Sequence, residues 1–296
     1  MRDSLVTVDK MVLGILLCAF FTVQVTSQSP DIFRIEYMLM PKNKAAVEFT
    51  RFKILANVPI KVREKDNIII GGEYNYLSQE FGENDPIAMG GVKGLHVVDF
   101  NLAYVYRYNE DWRFIGVATP RLSSSLTNRV VRGDVSANIT VGAFKNKQNI
   151  DKPIRLVFGI TYNSTVALRI PLPIVYYEKR FHPNWSYVVG VPKTGLKYHL
   201  KERHMIQTEI ILDGYFVNLQ NNIILPDTGI ASSISSSAAL FTIGYQYNIT
   251  KSMSFYGYGG HTLFQKAVLN NQDRNDIFTL NDEPSLYFRA GFRIGI

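Results

Sequence analysis

The last twelve residues of the chain, SLYFRAGFRIGI, alternate without a break. Leu286, Phe288, Ala290, Phe292, Ile294 and Ile296 form one set; Ser285, Tyr287, Arg289, Gly291, Arg293 and Gly295 form the other. Successive side chains of a β-strand point to opposite sides. This segment therefore reads as a strand with one wholly apolar face and one polar, small or charged face. The same period of two recurs upstream. Val98, Phe100, Leu102, Tyr104, Tyr106 and Tyr108 alternate with Asp99, Asn101, Ala103, Val105 and Arg107. Phe241, Ile243, Tyr245, Tyr247 and Ile249 alternate with Thr242, Gly244, Gln246 and Asn248, and Ile206, Ile210, Leu212 and Phe216 with Gln207, Glu209 and Asp213.

These runs span about 10–13 residues, whereas strands of soluble proteins are mostly ~5–6 long. A tilted strand crossing a bilayer needs ~9–11 residues. Aromatic residues gather at run ends beside turns, in YRYNEDW (106–112) and YQYNITKSMSFYGY (245–258), where a membrane interface favours amphipathic rings. Fourteen strand windows can be drawn: 32–40, 45–56, 67–77, 94–108, 112–121, 134–144, 154–162, 167–176, 185–191, 195–200, 204–218, 238–249, 252–264 and 285–296. The ninth and tenth are short and interrupted by Pro192, so the count is twelve to fourteen. Tight turns near 109–111, 201–203 and 249–251 alternate with longer polar stretches at 78–93, 122–133, 219–237 and 265–284, which read as loops. Short turns at one end and long loops at the other form the asymmetry of an outer-membrane barrel.

The N-terminus fits that destination. Arg2 and Lys10 precede an apolar run, Met11–Phe21, that fades into Val25-Thr26-Ser27-Gln28. Val25 and Ser27 suit the −3 and −1 positions of a signal peptidase site. Residues 1–27 are expected to be a signal peptide cleaved between Ser27 and Gln28, with 28–296 as one barrel domain. Cleavage removes Cys18, the one cysteine of the 296-residue chain, and with it disulfides, thiol catalysis and cysteine metal sites. The hydrophobic fraction of 46% and mean hydropathy of −0.02 are too polar for a helical membrane bundle. The net charge of +7 is spread along the chain rather than gathered into an arm, so nucleic acid is not an expected partner. Outer-membrane lipid and the barrel-assembly machinery are.

The candidate site is the inner face. Parity places Glu73, Asp99, Arg107, Glu209, Asp213, Arg289 and Arg293 in the lumen, as a salt-bridge network or a charged constriction. It places Phe100, Tyr104, Phe241, Tyr245, Phe288 and Phe292 against lipid. Strand 285–296 is expected to close on 32–40, bringing Arg34 and Glu36 into the lumen. No catalytic, cofactor-binding or metal-binding residue is identified: His96, His182, His199, His204 and His261 are scattered, and no HExxH, GxSxG or phosphate-loop pattern occurs. His199 and His204 flank a turn and read as interfacial. Asn-x-Ser/Thr triplets start at Asn138, Asn163, Asn184 and Asn248 and fall mostly in or beside strand windows.

The terminal run LYFRAGFRIGI and the segment PLPIVYYEKRFHPNWSYVVGVPKTGLKYHL (171–200) resemble uncharacterised outer-membrane β-barrels of the Bacteroidota type, a domain-of-unknown-function class. The resemblance implies a single antiparallel up-and-down transmembrane barrel, all-β, over about 30–296, and carries no functional residue with it. The function expected is non-enzymatic: a narrow pore, a surface binder or a structural wall component. A lipid-modifying barrel enzyme and a soluble exported ligand-binding barrel are the alternatives.

Overall fold

The computed structural model describes residues 31–82, 94–147, 151–163, 171–225 and 229–295. The proposed leader and its cleavage site lie outside these residues. The strands are β1 (Asp31–Met40), β2 (Glu48–Lys61), β3 (Asp66–Glu80), β4 (Leu95–Arg107), β5 (Trp112–Ser124), β6 (Val135–Lys147), β7 (Ile154–Asn163), β8 (Leu172–His182), β9 (Trp185–Val191), β10 (Lys193–Leu200), β11 (His204–Leu225), β12 (Gly229–Asn248), β13 (Met253–Asn270), β14 (Asp276–Asn281) and β15 (Leu286–Gly295). No helix among the described residues is long and apolar enough to cross a membrane.

Each of β1–β13 pairs antiparallel with its neighbours in sequence, and β15 lies between β13 and β1. The result is a closed barrel of fourteen strands. β14 stands beside the wall strands, paired only with the far end of β13. Closure runs in the register Ile35↔Phe292, Glu36↔Gly291, Tyr37↔Ala290, Met38↔Arg289 and Leu39↔Phe288. The apolar sets of the first and last strands thus share the outer face. Closure matters physically because an open edge would leave a row of unpaired backbone groups in hydrocarbon, each costing several kcal/mol.

One reading from sequence is corrected. Residues 219–237 and 265–284 were expected to be loops, yet most of them extend the sheet. β11 runs 22 residues and β12 runs 20, paired to each other almost throughout. β13 continues to Asn270 alongside β12. This extension leaves the wall. β10 begins at Lys193, and the bond from Leu212 N to Pro192 O (3.0 Å) is the top of the β10–β11 seam. Beyond it β11 crosses the loop-end mouth to β5, six places away around the wall. There Asn218 bridges Ser124 in parallel, Ser125 N donates to Asn218 O (3.0 Å), and Ser123 Oγ donates to Phe216 O (2.5 Å).

The apolar core sits under this extension. Met38, Met40, Phe49 and Leu77 project inward from β1–β3 and meet Val217, Leu219, Ile234 and Leu240. Each such side chain contributes roughly 1.5–3 kcal/mol when fully buried. The extension is therefore packed into the barrel rather than resting on it. Its inward residues are apolar where β1–β4 present Met, Phe and Leu, and Ser or Gln elsewhere.

Candidate functional site: the barrel interior and its two halves

The outer face is apolar around the wall. Phe100, Tyr104, Phe241, Tyr245 and Phe288 are all exposed, and Phe292, half-buried, packs on Phe255 with ring centroids 4.9 Å apart. At the turn end, outward rings form pairs along the rim: Tyr108–Phe114, Trp112–Phe158, Tyr177–Tyr187 and Trp185–Tyr198. His204 joins this band against Tyr245 and Tyr247. His199 does not. It projects inward, with Nε2 2.8 Å from Ser186 Oγ.

Inside, the charged residues pair across strands. Asp99 accepts two bonds from Arg121 (2.6 and 2.7 Å), and Glu73 takes Lys53 at 3.0 Å. Asp213, at the root of the extension, takes both Nη atoms of Arg51 at 3.0 and 2.8 Å. Glu209 contacts Lys193 and takes Arg289 at 3.3 Å. Glu36 lies 3.9 Å from both Arg51 and Arg289 and accepts the Tyr256 hydroxyl at 2.7 Å. The Arg289 guanidinium lies 4.3 Å from the Tyr258 ring centroid. Arg293 donates to Ser254 Oγ (2.9 Å) and Gln246 Oε1 (3.1 Å). Arg107 departs from the expected network: it sits exposed at the turn-end rim and donates to the Glu64 carbonyl at 3.0 Å.

The sequence reading missed Arg51, Lys53, Arg121, Glu178, Lys193 and Lys197. Their parity is the signal that marks them: Arg51 and Lys53 share the set of Phe49, and Arg121 pairs with Asp99 in register. Which cation meets which acid depends on the cross-lumen path of β11, which no local period encodes.

The interior is unequal around the ring. From β11 through β13, β15 and β1–β4, the middle and loop-end inward positions are almost all buried, including Arg34, Glu36, Lys53 and Tyr287. β6 differs. Thr140, Gly142, Phe144 and Asn146 are part-exposed, so its inner face is accessible from the middle to the turn end, whereas at the loop end Ser136 Oγ and Asn138 Oδ1 are buried, as are Thr161 and Asn163 beside them on β7. Facing inward beside it are Arg113 and Thr119 of β5 and Arg155 and Val157 of β7, also part-exposed. Gly142 and Gly159 oppose each other in the β6–β7 register, and a Cβ on Gly142 would come within 2.7 Å of the Phe158 carbonyl oxygen. Small residues are required at that pair, and they widen the bore on this side.

The extension is tied to the open side's edge by one carboxylate. Asp134, in a 3-10 turn just before β6, accepts from Val131 N (2.9 Å), Asn218 Nδ2 (2.7 Å) and Gln220 Nε2 (2.7 Å). Burial disfavours its charge, but the bonds from Val131, Ser124, Asn218 and Gln220 outweigh that and hold its carboxyl below the ordinary aspartate value. Among the described residues no group of His, Asp and Glu has the geometry of a metal site.

A family model described as a domain of unknown function (DUF6268) matches residues 40–295. The chain belongs to that family. No curated protein matches it in sequence. Among solved structures, it is similar to the COG4313 outer membrane channel from Pseudomonas putida F1, at 7% identity and a TM-score of 0.46, over 93% of this chain and 97% of that one. A Pseudomonas aeruginosa FadL homologue aligns at 7% identity and TM-score 0.41 over 89% of each chain. LpxR from Salmonella typhimurium aligns at 9% identity and TM-score 0.38, over 89% of this chain and all of that one.

Proposed function

We propose that this protein is a narrow pore for small polar solutes in a bacterial outer membrane, without enzymatic activity, reached on a leader cleaved between Ser27 and Gln28. The closed wall with its apolar exterior and turn-end aromatic rim supports the membrane setting. The observation that carries the pore is the middle and turn-end part of the β6 inner face, where Thr140, Gly142, Phe144 and Asn146 are part-exposed while the opposite half is filled. Solutes would pass along β5–β7, past hydroxyl, amide and glycine positions, with the extension walling off the rest of the mouth. The assembly partner in this reading is the barrel-assembly machinery, and the lipid-facing set is Phe100, Tyr104, Phe241, Tyr245, Phe288 and Phe292.

Purified barrels in a planar bilayer should give small, resolvable single-channel currents. Thr140→Trp or Asn146→Trp, set into the accessible face, should reduce them severalfold. A silent native barrel would overturn the pore, and so would currents indifferent to both substitutions.

A further inference from the structure

We infer that the outer wall over β6–β8 binds an anionic phospholipid in the leaflet at the turn end. The inference goes beyond the pore and rests on the membrane setting alone. On the described wall strands, lysine or arginine faces outward at Lys145 and Lys147 of β6 and Lys179 of β8, and nowhere else. All three lie in the last rows before the turns. The outward acid of that half, Asp66, stands three strands away on β3 and accepts from the Tyr104 hydroxyl at 3.0 Å. A charged side chain turned toward lipid is tolerated near the interface and costly at the midplane. Three of one sign in one sector call for a counter-charge. Lys147 has one within the protein, Asp111 at 3.0 Å. Lys145 Nζ lies instead 5.1 Å from the Trp112 ring centroid, which leaves its charge intact. Lys179 forms no ion pair among the described residues, and its neighbour Glu178 turns into the lumen toward Lys197.

Lys145 and Lys179 frame one aliphatic strip. In register, Lys145 stands beside Leu156 and Lys179 beside Ile154, so the two lysines flank β7 on its two sides. Their strands are two spacings apart, roughly 10 Å, which lets both side chains reach one headgroup. Trp112 borders the strip beyond Lys145, and Tyr177 borders it at Leu156. An acyl chain can lie on Ile154 and Leu156 between these rings while its phosphate meets the ammonium groups. Tryptophan and tyrosine rings favour that depth. Basic side chains at a membrane surface attract anionic lipid. A zwitterionic lipid brings its own cation to the phosphate. The lysine pair therefore favours a headgroup without an amine, as in phosphatidylglycerol.

Trp112 reports on this sector, because the chain holds two tryptophans and the other is Trp185. In Trp185→Phe barrels in mixed vesicles, brominated phosphatidylglycerol should quench Trp112 severalfold more effectively than brominated phosphatidylcholine at equal mole fraction. The ratio should fall toward one near 1 M KCl, where the screening length shrinks to ~3 Å. It should also fall toward one at low salt when Lys145 and Lys179 are both replaced by Gln. A control tryptophan, Ile35→Trp with Trp112 and Trp185 replaced by Phe, faces lipid beside Phe292 and Ile54 and should show no preference. Heat-modifiable gel migration establishes that each variant is a folded barrel, and the single Gln variants serve if the double variant is not. A ratio of one at Trp112, an undiminished ratio in folded Gln variants, or the same preference at Ile35→Trp would overturn the inference. So would a ratio erased by inorganic phosphate at constant ionic strength, which would make the ligand a soluble anion. A Trp112 that no lipid quenches, in barrels that cross-link as dimers, would put a second copy on the sector and overturn it too. Failure of the native barrel to enter vesicles would instead remove the membrane setting on which the inference rests.

Discussion

β1 and β6 obey the same rule on the outside and opposite rules on the inside. Outward, β1 shows Ile35 and Tyr37 and β6 shows Ile139 and Val141, all exposed. Inward, β1 presents Arg34, Glu36, Met38 and Met40, all buried, and β6 presents Thr140, Gly142, Phe144 and Asn146, all part-exposed. Strand number fixes the diameter of the backbone cylinder. What remains of the bore is decided by inward side-chain volume and by the β11–β13 extension, which packs on the large-residue half. A barrel of this size can thus be a solid wall on one side and a passage on the other.

The most severe way to break the comparison is to open the cylinder. Deleting residues 286–295 removes the partner of both β1 and β13 and exposes two strand edges to hydrocarbon. Membrane insertion should be abolished and the product lost to proteolysis. Normal recovery in the membrane fraction would show that the filled half holds together without its seam.

The next effect separates the halves directly. Removing the Asp213 carboxylate takes from the buried Arg51 its two-bonded partner and leaves it only Glu36, 3.9 Å away; breaking a buried pair typically costs ~3–5 kcal/mol. Asp213→Ala should lower the unfolding midpoint in urea accordingly, whereas Asn146→Ala on the accessible side should move it by less than ~0.5 kcal/mol. Equal shifts would mean that the two interiors are packed alike.

A parity test sharpens the contrast further. An arginine near the midplane of a lipid face costs ~2–4 kcal/mol. Val141→Arg should pay this, and its neighbour Thr140→Arg, turned into the open side, should pay much less. On the filled half the asymmetry should vanish, since Phe241 faces lipid while Thr242 is fully buried; arginine at either position should be poorly tolerated. Urea titration of all four variants in liposomes reads this out.

These contrasts also show what was legible in the chain. Alternation marked twelve to fourteen wall strands, and the barrel has fourteen, because a bilayer demands apolar side chains on one face of every strand. The closing partner of 285–296 followed from the same parity, and the pairing Phe288↔Leu39 has it. The extension was illegible for the converse reason. Ser233–Ser237 lie in β12 between two backbone partners, inside the barrel mouth, where no lipid imposes a pattern. A serine-rich strand with both edges paired then looks like a loop. The Arg51–Asp213 contact was hidden with it, since residues 162 apart meet only once β11 has left the wall. The basic residues of the open side were visible in sequence, but not that their neighbours would be too small to cover them.

The smallest expected effect concerns the tie between the halves. Asn218 and Gln220 of the extension both donate to Asp134, at the edge of the accessible side. The folded state holds this carboxyl below its ordinary value, so folding is favoured by its ionisation. That contribution is complete above the unfolded aspartate pKa of ~3.9 and is lost as pH falls through the lower folded value. Hydrogen bonds to a charged group contribute ~1.5–3 kcal/mol, but Asp134→Asn keeps an acceptor for one donor, so about 1 kcal/mol of the tie should go. The extension should then detach from β5 more often without unfolding the barrel. Single-channel records of Asp134→Asn at neutral pH should show added current noise and brief steps to higher conductance. Native channels should acquire the same behaviour only in acid, below about pH 4. Acid-induced noise that persists unchanged in Asp134→Asn would place the titrating group elsewhere. Quiet records from both would mean that the apolar packing of Val217 and Leu219 alone fixes the extension, and the two halves would then be joined by core rather than by charge.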